Sequence, residues 1–137
     1  MKQTIAIIAA ALVLLGGGYW LLKNKQVQID PKTAEFNRDA TKLIEGLQQY
    51  KEFFKHYPTG TMADISKALS GQAEGKVVIF ATANAKKNDK GEITDPWGTP
   101  IQFYFSENGV LIRSAGPNKI FEDSRTACDD LFRTDTK

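Results

Sequence analysis

The sequence predicts an α+β protein in which an N-terminal transmembrane helix precedes a long amphipathic helix packed on a small antiparallel β-sheet. Three observations predict this fold class. Residues 3–22 carry no charged side chain, and residues 31–56 repeat apolar side chains at steps of three and four. In residues 101–105, apolar side chains alternate with Gln and Tyr before an Asn-Gly pair. Helical patterns that precede strand patterns are typical of a sheet laid on the apolar face of a helix.

The composition is that of an ordinary globular domain joined to a membrane segment. The 137 residues include 42% hydrophobic and 25% charged side chains, and the net charge is +2. This length leaves one domain once an anchor is subtracted, so we divide the chain into an anchor at residues 1–25 and a domain at residues 26–137. The small net charge gives no broad basic field, which argues against nucleic acid as a partner.

The first predicted element is a membrane helix. Residues 3–22 would form about 30 Å of helix, which matches the hydrocarbon core of a bilayer. Tyr19 and Trp20 lie near one end, where amphipathic rings favour the interface. The alternative is a cleaved secretory signal, because Lys2 gives a basic start and residues 16–18 are small. We favour a retained anchor, because the apolar run is long and lacks a clean cleavage site.

The second predicted element is a long amphipathic helix at residues 31–56. Asp30 is a favourable N-cap, and Pro31 fits the first helical position. Residues 57–60, Tyr-Pro-Thr-Gly, are predicted to end the helix. One apolar stripe is expected to face the core. It comprises Phe36, Ala40, Leu43, Ile44, Leu47, Tyr50, Phe53, Phe54 and Tyr57.

Shorter elements follow the long helix. Thr61 is a favourable cap for a short helix at residues 62–69. Residues 76–82 are β-branched and aromatic, which predicts a strand, and the polar residues 83–94 predict a surface loop.

A turn and a hairpin complete the predicted fold. Asp95 can fold back on the backbone as an Asx turn, and Gly98 permits a positive φ. Trp97 would then lie at the entry to the hairpin and pack on the long helix. Residues 101–113 form the two strands of this hairpin, because Asn108-Gly109 is a strong short hairpin signal.

The sequence offers no constellation of residues for catalysis. His56 is the only histidine, and it is expected in the last turn of the long helix, where a cation suits the exposed carbonyls. Cys128 is the only cysteine, so no internal disulfide can form. Its neighbours Asp129 and Asp130 disfavour a reactive thiolate. We therefore predict that the protein is not an enzyme and has no small-molecule substrate.

The acid-rich tail is a candidate cation site. Asn118, Asp123, Asp129 and Asp130 bring one amide and three carboxylates into one segment. Ca2+ takes carboxylate and carbonyl oxygens as ligands, so these four residues are the candidate ligands. The alternative is a solvated acidic tail that Arg125 partly neutralises.

Four short segments resemble the major pseudopilin family of bacterial type II secretion systems. That family has a long helix ending at Tyr-Pro-Thr, then Asp-Pro-Trp-Gly before an aromatic strand, then Ser-x-Gly-x-Asp-Gly, and a closing Asp-Asp-hydrophobic step. The corresponding segments here are residues 57–59, 95–98, 114–119 and 129–131.

The resemblance implies a pilin-like α+β fold and a structural role. Such subunits are inner-membrane proteins with a periplasmic domain, and they assemble into a short pseudopilus that moves folded proteins through an outer-membrane channel. The implied partners are other pseudopilins or secretion-machine proteins, including further copies in a homo-oligomer. The family also implies Ca2+ in the C-terminal loop. Lys23 and Lys25 alone would favour a domain on the cytoplasmic side of the membrane. The resemblance instead favours a domain in the periplasm.

The chain departs from the family near its N-terminus, at Pro31, which breaks a normally continuous helix, and in the C-terminal loop, which has extra residues before Asp129. Family precursors carry a Gly-Phe cleavage site and a glutamate early in the mature helix, whereas the first acidic residue here is Asp30. Asn118 and Lys119 stand where Asp and Gly are usual. These departures leave a second function open, a membrane-tethered periplasmic interaction module with a pilin-like fold that does not polymerise.

Overall fold

The computed structural model describes residues 29–72, 85–123 and 128–135. Three strands in this part form one antiparallel sheet in the order β1-β2-β3, and β2 and β3 contact the first helix. The α+β class and the helix packed on a small antiparallel sheet are therefore confirmed. The elements are α1 (Pro31–Phe54), α2 (Met62–Leu69), β1 (Gln102–Ser106), β2 (Gly109–Ser114) and β3 (Leu131–Thr134).

Two predicted elements lie outside the described residues. They are the anchor at residues 1–25 and the strand at residues 76–82. Within the described ranges, neither helix combines the length and the apolar character that crossing a bilayer requires.

Helix α1 begins at the predicted residue and ends earlier than predicted. Asp30 caps it, because Asp30 Oδ2 accepts the backbone N–H of Thr33 at 3.0 Å. The helix ends at Phe54 because Lys55 adopts a left-handed conformation with φ of 67° and donates its N–H to the carbonyl of Lys51. His56 therefore lies beyond the helix, and its predicted place in the last turn is wrong.

The predicted apolar stripe of α1 faces the core, with one exception. Phe36, Leu43 and Leu47 are buried against the sheet side of the molecule. Phe53 is 64% exposed, so its assignment to the core was wrong. Successive helical residues are rotated by about 100° from one another, so Phe53 points away when its neighbour Phe54 packs on the core.

Helix α2 has the predicted bounds because its cap is a local signal. Thr61 Oγ1 accepts the backbone N–H of Asp64 at 3.2 Å, and Asp64 Oδ2 accepts the backbone N–H of Thr61 at 2.9 Å. This reciprocal pair is a capping box. Ile65 and Leu69 are buried and join α2 to the core.

The hairpin forms as predicted, but its turn lies one residue earlier. Phe105 pairs with Val110, and Glu107 and Asn108 form the turn between the strands. Gly109 opens β2 without a positive φ. A Cβ at Gly109 would overlap the Asp135 carboxylate, which accepts the backbone N–H of Val110 at 2.9 Å. A larger residue at position 109 would therefore have to displace the Asp135 carboxylate.

Strand β3 is the element that the residue pattern does not predict. It lies in the tail that the sequence describes only as polar, and it pairs with β2 from Ser114–Leu131 to Leu111–Thr134. Leu131 packs against the core, whereas the next three residues are exposed. The segment has only four residues and is mostly exposed, so its pairing with β2 is what makes it a strand.

Candidate functional site

The candidate site is the acidic loop, which we define as the described residues 115–123 and 128–130 between β2 and β3. The pair Ser114–Leu131 closes the base of this loop in the sheet. Within its described residues, 115–123 and 128–130, the chain folds back on itself and brings distant polar side chains together.

Of the three predicted carboxylate ligands, Asp130 belongs to the group of ligand atoms that lie close together in the described residues, and Asp129 and Asp123 do not. The backbone N–H of Asn118 donates to Asp129 Oδ2 at 3.2 Å, and Asp130 follows Asp129 in the chain. Asp123 is exposed and is not among the clustered acidic ligands of the described residues. Glu122 joins the cluster, because its carboxylate accepts from the Asn118 amide at 3.0 Å and from the Asp129 N–H at 3.1 Å.

Glu122 was not among the predicted ligands. It is one of two consecutive acids, Glu122 and Asp123, and the sequence does not reveal which of the two turns inward. In an irregular loop no periodicity fixes the direction of a side chain, so tertiary contacts make the choice.

Arg113, near the end of β2, contacts the acidic loop through its guanidinium. Arg113 Nε donates to Asp130 Oδ2 at 2.5 Å, and the guanidinium also donates to the carbonyl oxygen of Glu122. It lies over the rings of Phe121 and Phe132, at 5.3 and 5.5 Å from their centroids. The hydrogen bond to Tyr104, and after it the one to Asp130, raises the pKa of Arg113. Arg125, the predicted neutralising residue, lies outside the described residues.

Two carboxylate oxygens in the loop are buried and lack a hydrogen-bond donor among the described residues. They are Asp129 Oδ1 and Asp130 Oδ1. The side chain of Asp130 is fully buried, so water does not replace the missing donor at its surface. A buried anionic oxygen without a partner costs free energy, and a bound cation would remove that cost.

The donor set of the loop favours a hard cation. One ligand atom each from Glu122, Cys128 and Asp130 lie within 4.8 Å of one another. Carboxylate oxygens suit Ca2+ or Mg2+, whereas the Cys128 sulfur is a soft ligand that these ions do not prefer. Of the predicted carboxylate ligands, this group contains Asp130, and Glu122 and Cys128 complete it.

The predicted Asx turn at Asp95 is confirmed. Asp95 is 2% exposed, and its Oδ1 accepts the backbone N–H of Trp97 at 3.0 Å and of Thr99 at 2.8 Å. Gly98 has the expected positive φ of 90°. Trp97 is partly buried and packs against the core.

A buried hydrogen bond joins this turn to the base of the acidic loop. Ser114 Oγ donates to Asp95 Oδ2 at 2.6 Å and accepts the backbone N–H of Gly116 at 3.1 Å. Ser114 is fully buried. Two segments that are 19 residues apart in the chain therefore form one bonded unit.

His56 and Cys128 do not meet in the structure as a reactive pair would require. His56 is exposed, and its Nδ1 lies 2.9 Å from the carbonyl oxygen of Tyr57. Cys128 is an exposed free thiol on the acidic loop. The absence of enzymatic activity stays a prediction from the sequence.

A groove of about 490 Å³ lies away from the acidic loop, between α1 and the segment that ends at Ile101. On its rim, Lys86 Nζ lies 2.6 Å from Glu35 Oε1, and this hydrogen bond lowers the pKa of Glu35. Phe36 and Ile93 contribute apolar lining. We place the candidate site in the acidic loop and not in this groove, because buried oxygens without donors lie there.

In the comparisons with known proteins, no family model, no curated protein and no solved structure matched this chain.

Proposed function

We propose that this protein is a structural pseudopilin-like subunit of a type II secretion or type IV pilus-like machine and contributes to protein export. In this proposal residues 1–25 hold it in the bacterial inner membrane as a single-pass anchor, and residues 26–137 lie in the periplasm. Its partners are other pseudopilins or secretion-machine proteins, including further copies of itself.

The observation that carries the proposal is the buried hydrogen bond between Asp95 and Ser114. These residues open the two segments on which the resemblance to pseudopilins mainly rests, residues 95–98 and 114–119. A chance likeness of short motifs gives no reason for the motifs to touch. The 2.6 Å hydrogen bond between these two buried side chains supports the view that the two segments form one structural unit of a pilin-like domain.

Deletion of the gene in its native host tests the proposed export role. We expect the proteins normally found in the medium to accumulate in the periplasm, and wild-type chain to restore their export. The matched control is a chain with Phe53→Ala, an exposed residue, which is expected to restore export equally. Normal export in the deletion strain would contradict the proposal.

The second candidate function is a membrane-tethered interaction module that does not polymerise. The observation that favours it is the absence of any acidic residue before Asp30, because the family glutamate in that region serves contact between subunits. Crosslinking of the full-length chain in membranes separates the two functions. A ladder of multiples of the chain mass supports a polymerising subunit, whereas a single product with another envelope protein supports the module.

We also propose that the acidic loop binds Ca2+. Asp129 and Asp130 would supply the carboxylate oxygens that have no donor, and Glu122 and the Asn118 side-chain oxygen lie in the same loop. Bound Ca2+ would neutralise the loop and hold its two ends together. Arg113 already satisfies one oxygen of Asp130, so we expect weak binding with a Kd of roughly 10⁻⁴–10⁻³ M.

Thermal melts of the full-length chain test this calcium site. In 10 mM CaCl2, a roughly tenfold to hundredfold excess over that Kd, we expect stabilisation of about 1.4–2.7 kcal/mol relative to EGTA. The rise in Tm should vanish in Asp129→Asn/Asp130→Asn and persist in Asp89→Asn, which removes an exposed carboxylate outside the loop. Identical melts of wild-type protein in CaCl2 and EGTA would refute calcium binding.

A further inference from the structure

We propose that Asp95 is a positioning residue for the acidic loop and acts through Ser114. The loop begins directly after Ser114, whose pairing with Leu131 closes its base. Asp95 lies outside the loop, yet its Oδ2 accepts the Ser114 hydroxyl at 2.6 Å. Where the inference concerns the affinity of the loop for a divalent cation, it rests on the proposed calcium site.

Asp95 is a fixed point because both of its carboxylate oxygens and its backbone are engaged. Oδ1 accepts the N–H groups of Trp97 and Thr99 at 3.0 and 2.8 Å, and the backbone N–H of Asp95 donates to the Thr99 carbonyl at 2.8 Å. The residue is 2% exposed. Because these hydrogen bonds leave the Asp95 side chain little freedom to move, it can fix the orientation of a neighbouring residue.

Ser114 transmits this fixed position to the start of the loop. Its Oγ accepts the N–H of Gly116 at 3.1 Å, so one hydroxyl ties Asp95 to the loop backbone. Gly116 has a φ of 65°, and a Cβ there would overlap the carbonyl oxygen of Asp129. The contacts therefore run without a gap from Asp95 through Ser114 and Gly116 to Asp129.

This chain of contacts reaches the side chains that would hold a cation. Asp129 Oδ2 accepts the N–H of Asn118, and Asp129 Oδ1 is one of the two oxygens without a donor. Binding sites work only when their ligands are held within about 0.5 Å of the required geometry. Asp95 and Ser114 therefore control the loop although neither residue lies among the candidate ligands.

The test compares Ser114→Ala with the matched control Ser106→Ala in the full-length chain. Both serines lie at strand ends of the same hairpin, but Ser106 is exposed and its hydroxyl donates to the Gly109 carbonyl at 3.2 Å. Amide hydrogen exchange at Asn118 and Asp129 is measured in EGTA, and Kd for Ca2+ is measured by calorimetry. In Ser114→Ala we expect exchange at these two amides to be about tenfold faster and Kd about tenfold weaker, with the control like wild type.

The outcomes separate this inference from the calcium proposal. If wild-type protein binds no Ca2+, the calcium proposal fails, and the exchange rates in EGTA still decide whether Asp95 positions the loop. Wild-type exchange at Asn118 and Asp129 in Ser114→Ala would overturn the inference. So would a uniform acceleration over the whole domain, because that is the mark of a general loss of stability.

A second variant applies if Ser114→Ala does not fold. Asp95→Asn keeps the oxygen that accepts from Trp97 and Thr99, but it presents an amide group to Ser114. The Ser114 hydroxyl then loses its acceptor while the turn is retained. We expect the same local acceleration of exchange at Asn118, and wild-type exchange in folded Asp95→Asn would overturn the inference.

Discussion

Two buried carboxylates in the C-terminal half, Asp95 and Asp130, have different hydrogen-bond surroundings. A buried carboxylate is costly unless donors surround it. Asp95 accepts three hydrogen bonds, from two backbone N–H groups and the Ser114 hydroxyl. Asp130 has Arg113 on one oxygen and no donor on the other within the described residues. We therefore interpret Asp95 as a structural group, and Asp130 as a group whose Oδ1 can still bind a cation.

Trp97 is expected to be a stability residue and not a ligand contact. It packs on the core from the Asp95 turn and is partly buried. Truncating a buried aromatic side chain to alanine costs ~3–5 kcal/mol, and partial burial should bring the cost of Trp97→Ala to about 2–3 kcal/mol. Urea unfolding of the full-length chain measures this loss.

The control for Trp97 is Phe53→Ala, which removes an aromatic ring that is 64% exposed. We expect this change to alter the free energy of unfolding by no more than about 0.5 kcal/mol. Equal losses for the two variants would show that Trp97 contributes no packing beyond that of a surface ring.

The helices owe their starting points to their own caps. Asp30 accepts the N–H of Thr33, and Thr61 exchanges hydrogen bonds with Asp64. Each cap satisfies N–H groups that a helix leaves without an internal partner. The starting points of both helices are therefore set by contacts within three residues and not by contacts with the sheet.

Thr61→Ala is expected to destabilise the protein by about 1 kcal/mol, because it removes the cap of α2. The matched control is Thr41→Ala in α1, where an exposed hydroxyl donates only to the carbonyl of Asn37. Alanine is the better helix former at that position, so no loss of stability is expected. Chemical unfolding measures the free energy of unfolding of both variants. If Thr61→Ala has the wild-type free energy of unfolding, Thr61 does not stabilise α2 as a cap.

The capping box also predicts how stability depends on pH. Hydrogen bonds from the Thr61 hydroxyl and N–H lower the pKa of Asp64 below its ordinary value of 3.8. A carboxyl whose pKa is lowered by folding stabilises the protein above its unfolded pKa and loses that contribution as pH falls through the folded pKa. The stability difference between wild type and Thr61→Ala should thus shrink in acid below pH 3.8, and a difference that grows there would contradict the capping box.

At the scale of the whole molecule, the C-terminal strand of the described domain closes the acidic loop. Strand β3 pairs with β2, and Asp135 just beyond it accepts from Val110 and from the Gln48 amide of α1. Asp135 therefore contacts both the sheet and α1.

The full chain is expected to remain in the membrane with its N-terminal segment intact. We expect it to resist carbonate extraction and to show the full mass of 15.2 kDa, because residues 3–22 are long and apolar enough to span a bilayer. Intact mass spectrometry of the extracted protein measures this, with a soluble periplasmic protein as the control for extraction. A mature form that begins near Tyr19 or later would identify a cleaved signal instead.

The features that the sequence determined by itself are those whose signal and partner lie within four residues. The N-caps at Asp30 and Thr61, the bounds of α2, and the Asx turn at Asp95 were all predicted and are all present. The hairpin was predicted as well, and Glu107 and Asn108 form its turn. Such features need no information from the rest of the fold, because local hydrogen bonds fix them.

Tertiary structure alone decided the features whose partners are distant in the chain. Strand β3 exists because β2 offers an edge, and the inward turn of Glu122 follows from the folding of the acidic loop. The Arg113–Asp130 and Asp95–Ser114 contacts join residues 17 and 19 positions apart. A residue pattern shows which side chains could serve as cation ligands, but which oxygens are buried without donors depends on packing that only the folded chain creates.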